Sequence, residues 1–252
     1  MRFKGFTLAE ILITLGIIGI VAAITLPTLI TNYRINELKT RFQKTNSIVN
    51  QALKSTLNEL EFDEFSDMNL FNLKSGEQAS VFKPRYEEFN SVWEKQFNMA
   101  HKVVRQEILN NINNRGYSRH PLFTKNYWGT SASYGHLYAT NSGNLPPTYY
   151  ILPDGSLIGQ IDAWGTCYAS CTIATIFFDT NGPYKGPNRY GYDLFYFDAG
   201  NNGKSIFNCG TNEDSNRTCF YRYALKNQNP FDKTKEYWKS LYKPKSYFNL
   251  SK

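Results

Sequence analysis

From Phe6 to Leu26 the chain reads FTLAEILITLGIIGIVAAITL, apolar apart from Glu10 and a few Thr. At 1.5 Å per helical residue, about 20 such residues cross the hydrocarbon core of a bilayer. The run predicts a membrane-spanning helix. Arg2 and Lys4 precede it with no acid between them, so the positive-inside rule keeps the N-terminus cytoplasmic and sends the rest of the chain outward. An ordinary secretory signal peptide, cut near Val21, Ala22 and Ala23, is the alternative. Two features oppose it. The apolar run starts directly after a four-residue basic leader and Gly5, and it contains an acid. An intramembrane carboxylate costs about 2.5 to 3.5 kcal/mol on insertion scales, so Glu10 calls for a partner.

The string Lys4, Gly5, Phe6, Thr7, Leu8, Ala9, Glu10, followed by an apolar run, resembles the leader of type IV pilins and type II secretion pseudopilins. The resemblance implies that a prepilin peptidase cuts after Gly5 on the cytoplasmic side and methylates the new amine of Phe6. Physical reading of the residues agrees. Cleavage there frees a positive amine one helical turn before Glu10, and that amine, or its equivalent on a neighbouring subunit, is the missing counter-charge. Gly5 has no Cβ to obstruct entry of an extended leader into a protease cleft.

The apolar pattern continues past the membrane. Leu26, Leu29, Ile30, Tyr33, Leu38, Phe42, Val49, Ala52, Leu53, Leu57 and Leu60 recur mostly at spacings of three and four, which marks one helical stripe. A helix from Phe6 to about Leu60 would be on the order of 80 Å long. Pro27 removes one backbone donor from it, so a kink or local unwinding is expected near residues 23–27; two helices meeting at Pro27 is the alternative.

Residues 61–84 mix acids with Phe and Leu and read as a loop with short structured pieces. A second amphipathic helix is expected over Tyr86, Phe89, Trp93, Phe97, Ala100, Val104, Ile108 and Ile112, ending at Asn113 to Gly116. Residues 117–147 have the composition of a long surface loop. TYYIL, the turn Pro153, Asp154, Gly155, and SLIGQI predict a β-hairpin; further strands are expected at 173–178, 193–197 and 219–225. Helix first and strands after predict an α+β head. About four antiparallel strands packed on the long helix, with an inserted second helix, would give the pilin-like arrangement that the resemblance implies.

The segment from Phe177 to Phe197 carries a second resemblance. Many pseudopilin-like proteins end with an Asp-x-Asn-Gly turn, then Pro-Asn, Gly and Asp-x-Phe, which stand here as Asp179, Asn181, Gly182, Pro187, Asn188, Gly191, Asp193 and Phe195. Asp179, Asn181, Asn188 and Asp193 could supply oxygens to calcium; the alternative is a metal-free turn in which Asp179 and Asp193 cap backbone amides. The loop is not an EF-hand, since Pro183 falls where a third ligand would stand and no Glu closes it.

Four cysteines, Cys167, Cys171, Cys209 and Cys219, would lie outside the cytoplasm, where two disulfides form readily. Three pairings are open; Cys167 with Cys171 and Cys209 with Cys219 is favoured, and the spacings are not those of structural zinc. His101, His120 and His136 match no catalytic or metal motif, so the chain reads as no enzyme, with a signal-anchored exocytoplasmic hydrolase as a remote alternative. A mean hydropathy of -0.47 excludes a polytopic membrane protein.

Net charge is +7, from 28 Lys and Arg against 21 Asp and Glu. Arg2 and Lys4 hold +2 of it, and residues 226–252, with seven Lys against Asp232 and Glu236, hold +5, so the rest balances to zero. Such a tail points weakly to DNA or anionic lipid, and Tyr237, Trp238, Tyr242 and Tyr247 within it offer rings that could stack on bases. The domain reading is a cytoplasmic leader (1–5), a transmembrane and polymerisation helix (6–30), an amphipathic helix of the head (31–60), an insertion (61–147), a β-sheet head (148–225) and a basic aromatic tail (226–252). Together these features predict a minor pilin or pseudopilin held in the cytoplasmic membrane by one pass, with its head outside. Its implied partners are prepilin peptidase, sister subunits and an inner-membrane assembly platform. A DNA-binding minor pilin is the runner-up.

Overall fold

The computed structural model describes residues 5, 7–64, 82–104, 107, 148–163, 174–185, 191–198, 217–229 and 232–241. Helix α1, Leu8–Glu59, is one run of 52 residues, about 78 Å at 1.5 Å per residue. It continues through Pro27 without interruption, so neither the two-helix alternative nor local unwinding at 23–27 is present. Loss of one N–H in so long a helix leaves the flanking turns in place, and the Thr31 hydroxyl donates to the Pro27 carbonyl at 2.8 Å.

The helix divides by burial. From Leu8 to Arg34 its side chains are exposed, with only Ala22 and Thr31 half-buried. Burial starts at Ile35 and recurs at Leu38, Phe42, Thr45, Val49, Ala52, Leu53, Thr56 and Leu57; Leu38, Phe42, Val49, Ala52, Leu53 and Leu57 belong to the stripe predicted by the apolar spacing, whereas Leu26, Leu29, Ile30 and Tyr33 of that stripe are exposed. The buried residues cover one face of a five-stranded antiparallel meander, β1 (His101–Val104), β2 (Thr148–Ile151), β3 (Leu157–Ala163), β4 (Ala174–Asp179) and β5 (Leu194–Asp198), whose spatial order is the chain order. Side chains alternate between faces along a strand, and Tyr150, Ile158, Ile176, Phe178, Phe195 and Phe197 form the inner face with α1. The predicted hairpin stands, with Ile151 opposite Leu157 across the turn. Lys44 of α1 grips that turn through Asp154 at 2.7 Å.

The remaining elements close the core. Helix α2, Phe82–Lys95, places Phe89 and Trp93 in the core, and the Trp93 indole donates to the Gly159 carbonyl at 3.1 Å, beside the register shift between Ile158 and Ile161. Helix α3, Arg217–Lys226, and the single turn α4, Tyr237–Ser240, bring Tyr221, Ala224, Tyr237 and Trp238 against α1 and β5. Each large apolar side chain buried this way is worth roughly 1.5 to 3 kcal/mol.

Two elements differ from the sequence reading. The helix expected from Tyr86 to Ile112 stops at Lys95: the N–H groups of Gln96 and Phe97 turn back to the carbonyls of Trp93 and Glu94, and His101–Val104 then pairs with β2 as a strand. Its Val103 and Val104 are β-branched, a type that packs well on a pleated surface. Residues 108–116, the rest of that expected helix, lie outside the described residues. The strand expected at 219–225 is helix α3. Phe220, Tyr221 and Ala224 are buried while Leu225 and Lys226 are exposed, a helical rather than alternating pattern.

Candidate functional site

The N-terminal end of α1 is built around Thr7 and Glu10. Thr7 is the N-cap: its hydroxyl oxygen accepts from the Glu10 N–H at 3.3 Å, while the Thr7 N–H and hydroxyl both donate to Glu10 Oε2 at 2.8 Å. This capping box satisfies two donors that a helix start otherwise leaves orphaned. It also gives Glu10 an intramolecular partner, which the sequence reading missed although Thr-x-x-Glu before an apolar run is the signature. Gly5 is exposed and non-helical, and Phe6 lies outside the described residues. Further along, Thr14 and Thr25 donate to the carbonyls of Ile11 and Val21 at 2.9 Å. Those hydroxyls therefore bring no unsatisfied donor to a lipid phase. Among the described residues α1 is the one helix long and apolar enough to cross a membrane, and its composition fits a single-pass anchor.

The Asp-rich turn lies at one end of the sheet. Asp179 closes β4 and Asp193 precedes β5; both are fully buried, with the Thr180 N–H donating to the Asp193 carbonyl at 2.8 Å. Asp179 Oδ1 accepts from the N–H groups of Asn181 at 3.0 Å and Gly182 at 2.9 Å, and the Asn181 amide donates to Asp193 Oδ2 at 3.4 Å. Asp179 Oδ2 is buried with no hydrogen-bond partner among the described residues. Three of the four candidate calcium ligands are thus gathered in one place, and Asn188 lies outside the described residues. Two carboxylates and an amide fall short of the six to eight oxygens calcium takes, and among the described residues no group of three or more His, Cys, Asp or Glu is placed to hold a metal. What the described residues build is a carboxylate-capped turn.

Burial pushes Asp179 well above the ordinary carboxylate range and Asp193 pushes it the same way; the N–H groups of Asn181 and Gly182, and Arg41 of α1, pull it back. The folded chain then holds a proton that the unfolded chain has released. Stability is therefore full below the ordinary carboxylate value and falls as pH rises toward the raised one, by up to about 1.4 kcal/mol per pH unit. Denaturation of the full chain from about pH 4 upward is expected to show this loss, and Asp179→Asn to flatten it. Parallel pH curves for the two proteins would remove the buried proton.

Other candidate residues are placed as follows. Cys167, Cys171 and Cys209 lie outside the described residues, and Cys219 stands on helix α3 rather than ahead of a strand. His101 opens β1, exposed, 3.8 Å from Glu107; His120 and His136 lie outside the described residues. Of the rings offered for base stacking, Tyr237 is 0% and Trp238 1% exposed. Both are core residues, a correction to the aromatic tail reading: the Tyr237 hydroxyl donates to the Gly191 carbonyl at 2.5 Å and the Trp238 indole to the Ala224 carbonyl at 3.2 Å. Tyr242 and Tyr247 lie outside the described residues.

No curated protein and no solved structure matches the chain. One family model does, over residues 1–26, described as the prokaryotic N-terminal methylation motif. The matched residues take in Gly5, the Thr7–Glu10 box and the exposed apolar run of α1 as far as Leu26, so the chain carries the N-terminal motif diagnostic of type IV prepilins and pseudopilins.

Proposed function

We propose that this protein is a structural subunit, a pilin or pseudopilin of a minor kind, which is released by prepilin peptidase after Gly5 and polymerises through the N-terminal half of α1. The observation that carries the reading is the division of that helix. One half is the backbone of a folded head, and the other, Leu8 to Arg34, is apolar and projects clear of the head. At about 25 cal/mol per Å2, so much apolar surface is stable only in lipid or against equivalent helices. In the membrane the capping box holds Glu10 within its own chain. On assembly, the methylated amine of Phe6 or of a neighbour replaces Thr7 as the partner of that carboxylate. On this reading the leader lies in the cytoplasm and the α+β head outside, which the basic leader ahead of the apolar run supports.

The test is expression of the full chain with a prepilin peptidase, followed by N-terminal sequencing. A mature chain beginning at methylated Phe6 is expected, and Gly5→Leu is expected to leave the precursor whole in the membrane. Cleavage near Ala23, or unhindered processing of the Gly5 variant, would return the segment to an ordinary signal peptide. In the same cells Glu10→Leu is expected to be inserted and cut normally yet to drop out of cross-linked polymers, because the amine loses its counter-charge. Normal incorporation of that variant would end the pairing argument.

A further inference from the structure

The exposed part of α1, residues 8–34, is about 40 Å long, close to the full thickness of a bilayer with its headgroups. Tyr33, exposed, and Arg34 next to it are residue types that sit at the membrane interface. Burial in the head begins at Ile35, so the head stands directly on the headgroup layer.

The order of contacts along α1 shows which part of the head is lowest. At the far end Glu59 pairs with Lys95 of α2. Lys44 reaches the β2–β3 turn, and Phe42 meets Trp238 of α4 at 5.4 Å. Lys39, lower still, acts on Glu236, which stands immediately before α4. The turn α4 packs directly on α1. Residues 232–241 therefore occupy the membrane-proximal end, and Lys39 is five residues, about 7.5 Å, above Arg34, within a Debye length at physiological salt.

Residues 226–241 carry +2, four Lys against Asp232 and Glu236. Lys226, Lys233, Lys235 and Lys239 are exposed. Asp232 and Glu236 pair with Lys235 and Lys239, which leaves Lys226 and Lys233 as the surplus of residues 226–241; Lys243, Lys245 and Lys252 follow in the sequence, outside the described residues. Residues 5–225 sum to zero, so beyond the leader the net charge lies in residues 226–252, +2 of it by Leu241 and +3 after it. Positive charge alone would suit either nucleic acid or lipid. Burial of Tyr237 and Trp238 takes away two of the base-stacking rings that single-stranded nucleic acid would use, and the position beside the anchor supplies the alternative.

We propose that Lys226, Lys233, Lys235 and Lys239, together with Arg34 and Lys39, form a docking surface for the anionic phospholipid headgroups of the membrane that holds α1. Lysines within a Debye length of an anionic surface each contribute about a fivefold preference for it. The surface needs only α1 in the bilayer, whether or not Gly5 has been cleaved.

The full chain is placed in nanodiscs of phosphatidylcholine alone and of phosphatidylcholine with roughly one-third phosphatidylglycerol, and amide exchange is followed across residues 226–241. Anionic lipid is expected to slow exchange there about fivefold or more. The slowing should vanish at about 1 M salt, where the Debye length is ~3 Å. It should also vanish in the triple variant Lys233→Gln, Lys235→Gln, Lys239→Gln and persist when the same three become Arg. Equal exchange in the two discs, or protection unchanged in the Gln variant, overturns the proposal. So does stronger protection of the segment by DNA, added to phosphatidylcholine discs at matched phosphate, than by phosphatidylglycerol.

Discussion

Truncating Phe42 to Ala is expected to destabilise the head by about 3 to 5 kcal/mol, the range for a buried aromatic removed from a packed core. Phe42 is 1% exposed and is the ring on which four others converge: Phe195 at 4.6 Å, Trp238 at 5.4 Å, Tyr221 at 5.7 Å and Phe178 at 6.1 Å. Those four come from β4, β5, α3 and α4, so the cavity left by Ala opens at the meeting point of most of the head. Aromatic pairs add roughly 0.5 to 1.5 kcal/mol beyond their area, which places Phe42→Leu between Ala and the wild type. Denaturant titration of the full chain in detergent, followed by Trp fluorescence, measures the series. Tyr33→Ala is the control, since Tyr33 is exposed and outside the core. Comparable losses for Phe42→Ala and Tyr33→Ala would mean that α1 is not the centre of the core.

Gly182→Ala is expected to cost on the order of 3 kcal/mol or more, and Gly155→Ala only about 1 to 2 kcal/mol. Both glycines have positive φ, 81° and 88°, so each substitution meets left-handed backbone strain. They differ in space. A Cβ on Gly182 would lie 2.0 Å from the carbonyl oxygen of Gly155, whereas one on Gly155 would find nothing nearer than Lys185 Nζ at 3.7 Å. A backbone oxygen cannot step aside without moving the β2–β3 turn, and Lys44 holds that turn through Asp154. Displacement would also stretch the bond from the Gly182 N–H to Asp179. Melting temperatures of the two variants decide the matter; equal losses would show that strain alone, and not the close approach of the turns, governs Gly182.

Helix α1 was the legible part of this chain because its signal is long. The stripe from Ile35 to Leu57 repeats over many turns, and no alternation competes with it. Short segments failed where two periods fit the same letters. CFYRYAL alternates as a strand would, yet Phe220, Tyr221 and Ala224 also fall on one face of a helix, and packing against Phe42, Phe178 and Phe197 selects the helix. In the stretch from Trp93 to Val104 the apolar spacing stays helical while the backbone turns back after Lys95, a change that lies in hydrogen bonds rather than in the pattern. At the candidate site, Gly5 and Glu10 were visible as chemistry. The role of Thr7 was missed because its functional signal is also an ordinary helix start. The capped turn at Asp179 was legible from Asp-x-Asn-Gly, but the full burial of both carboxylates was not, since tertiary cover does not show in local sequence.

Helix α1 passes from its exposed half into the core without a joint, even at Pro27. In mechanical terms it is a single rod with the head clamped along one end. A load applied along its axis is met in shear by the whole stripe from Ile35 to Leu57 together, rather than peeled from one contact at a time. The strands of the sheet carry no part of that load path in series, because neither end of the rod passes through them. A head built this way can be pulled by its anchor without its sheet being unzipped.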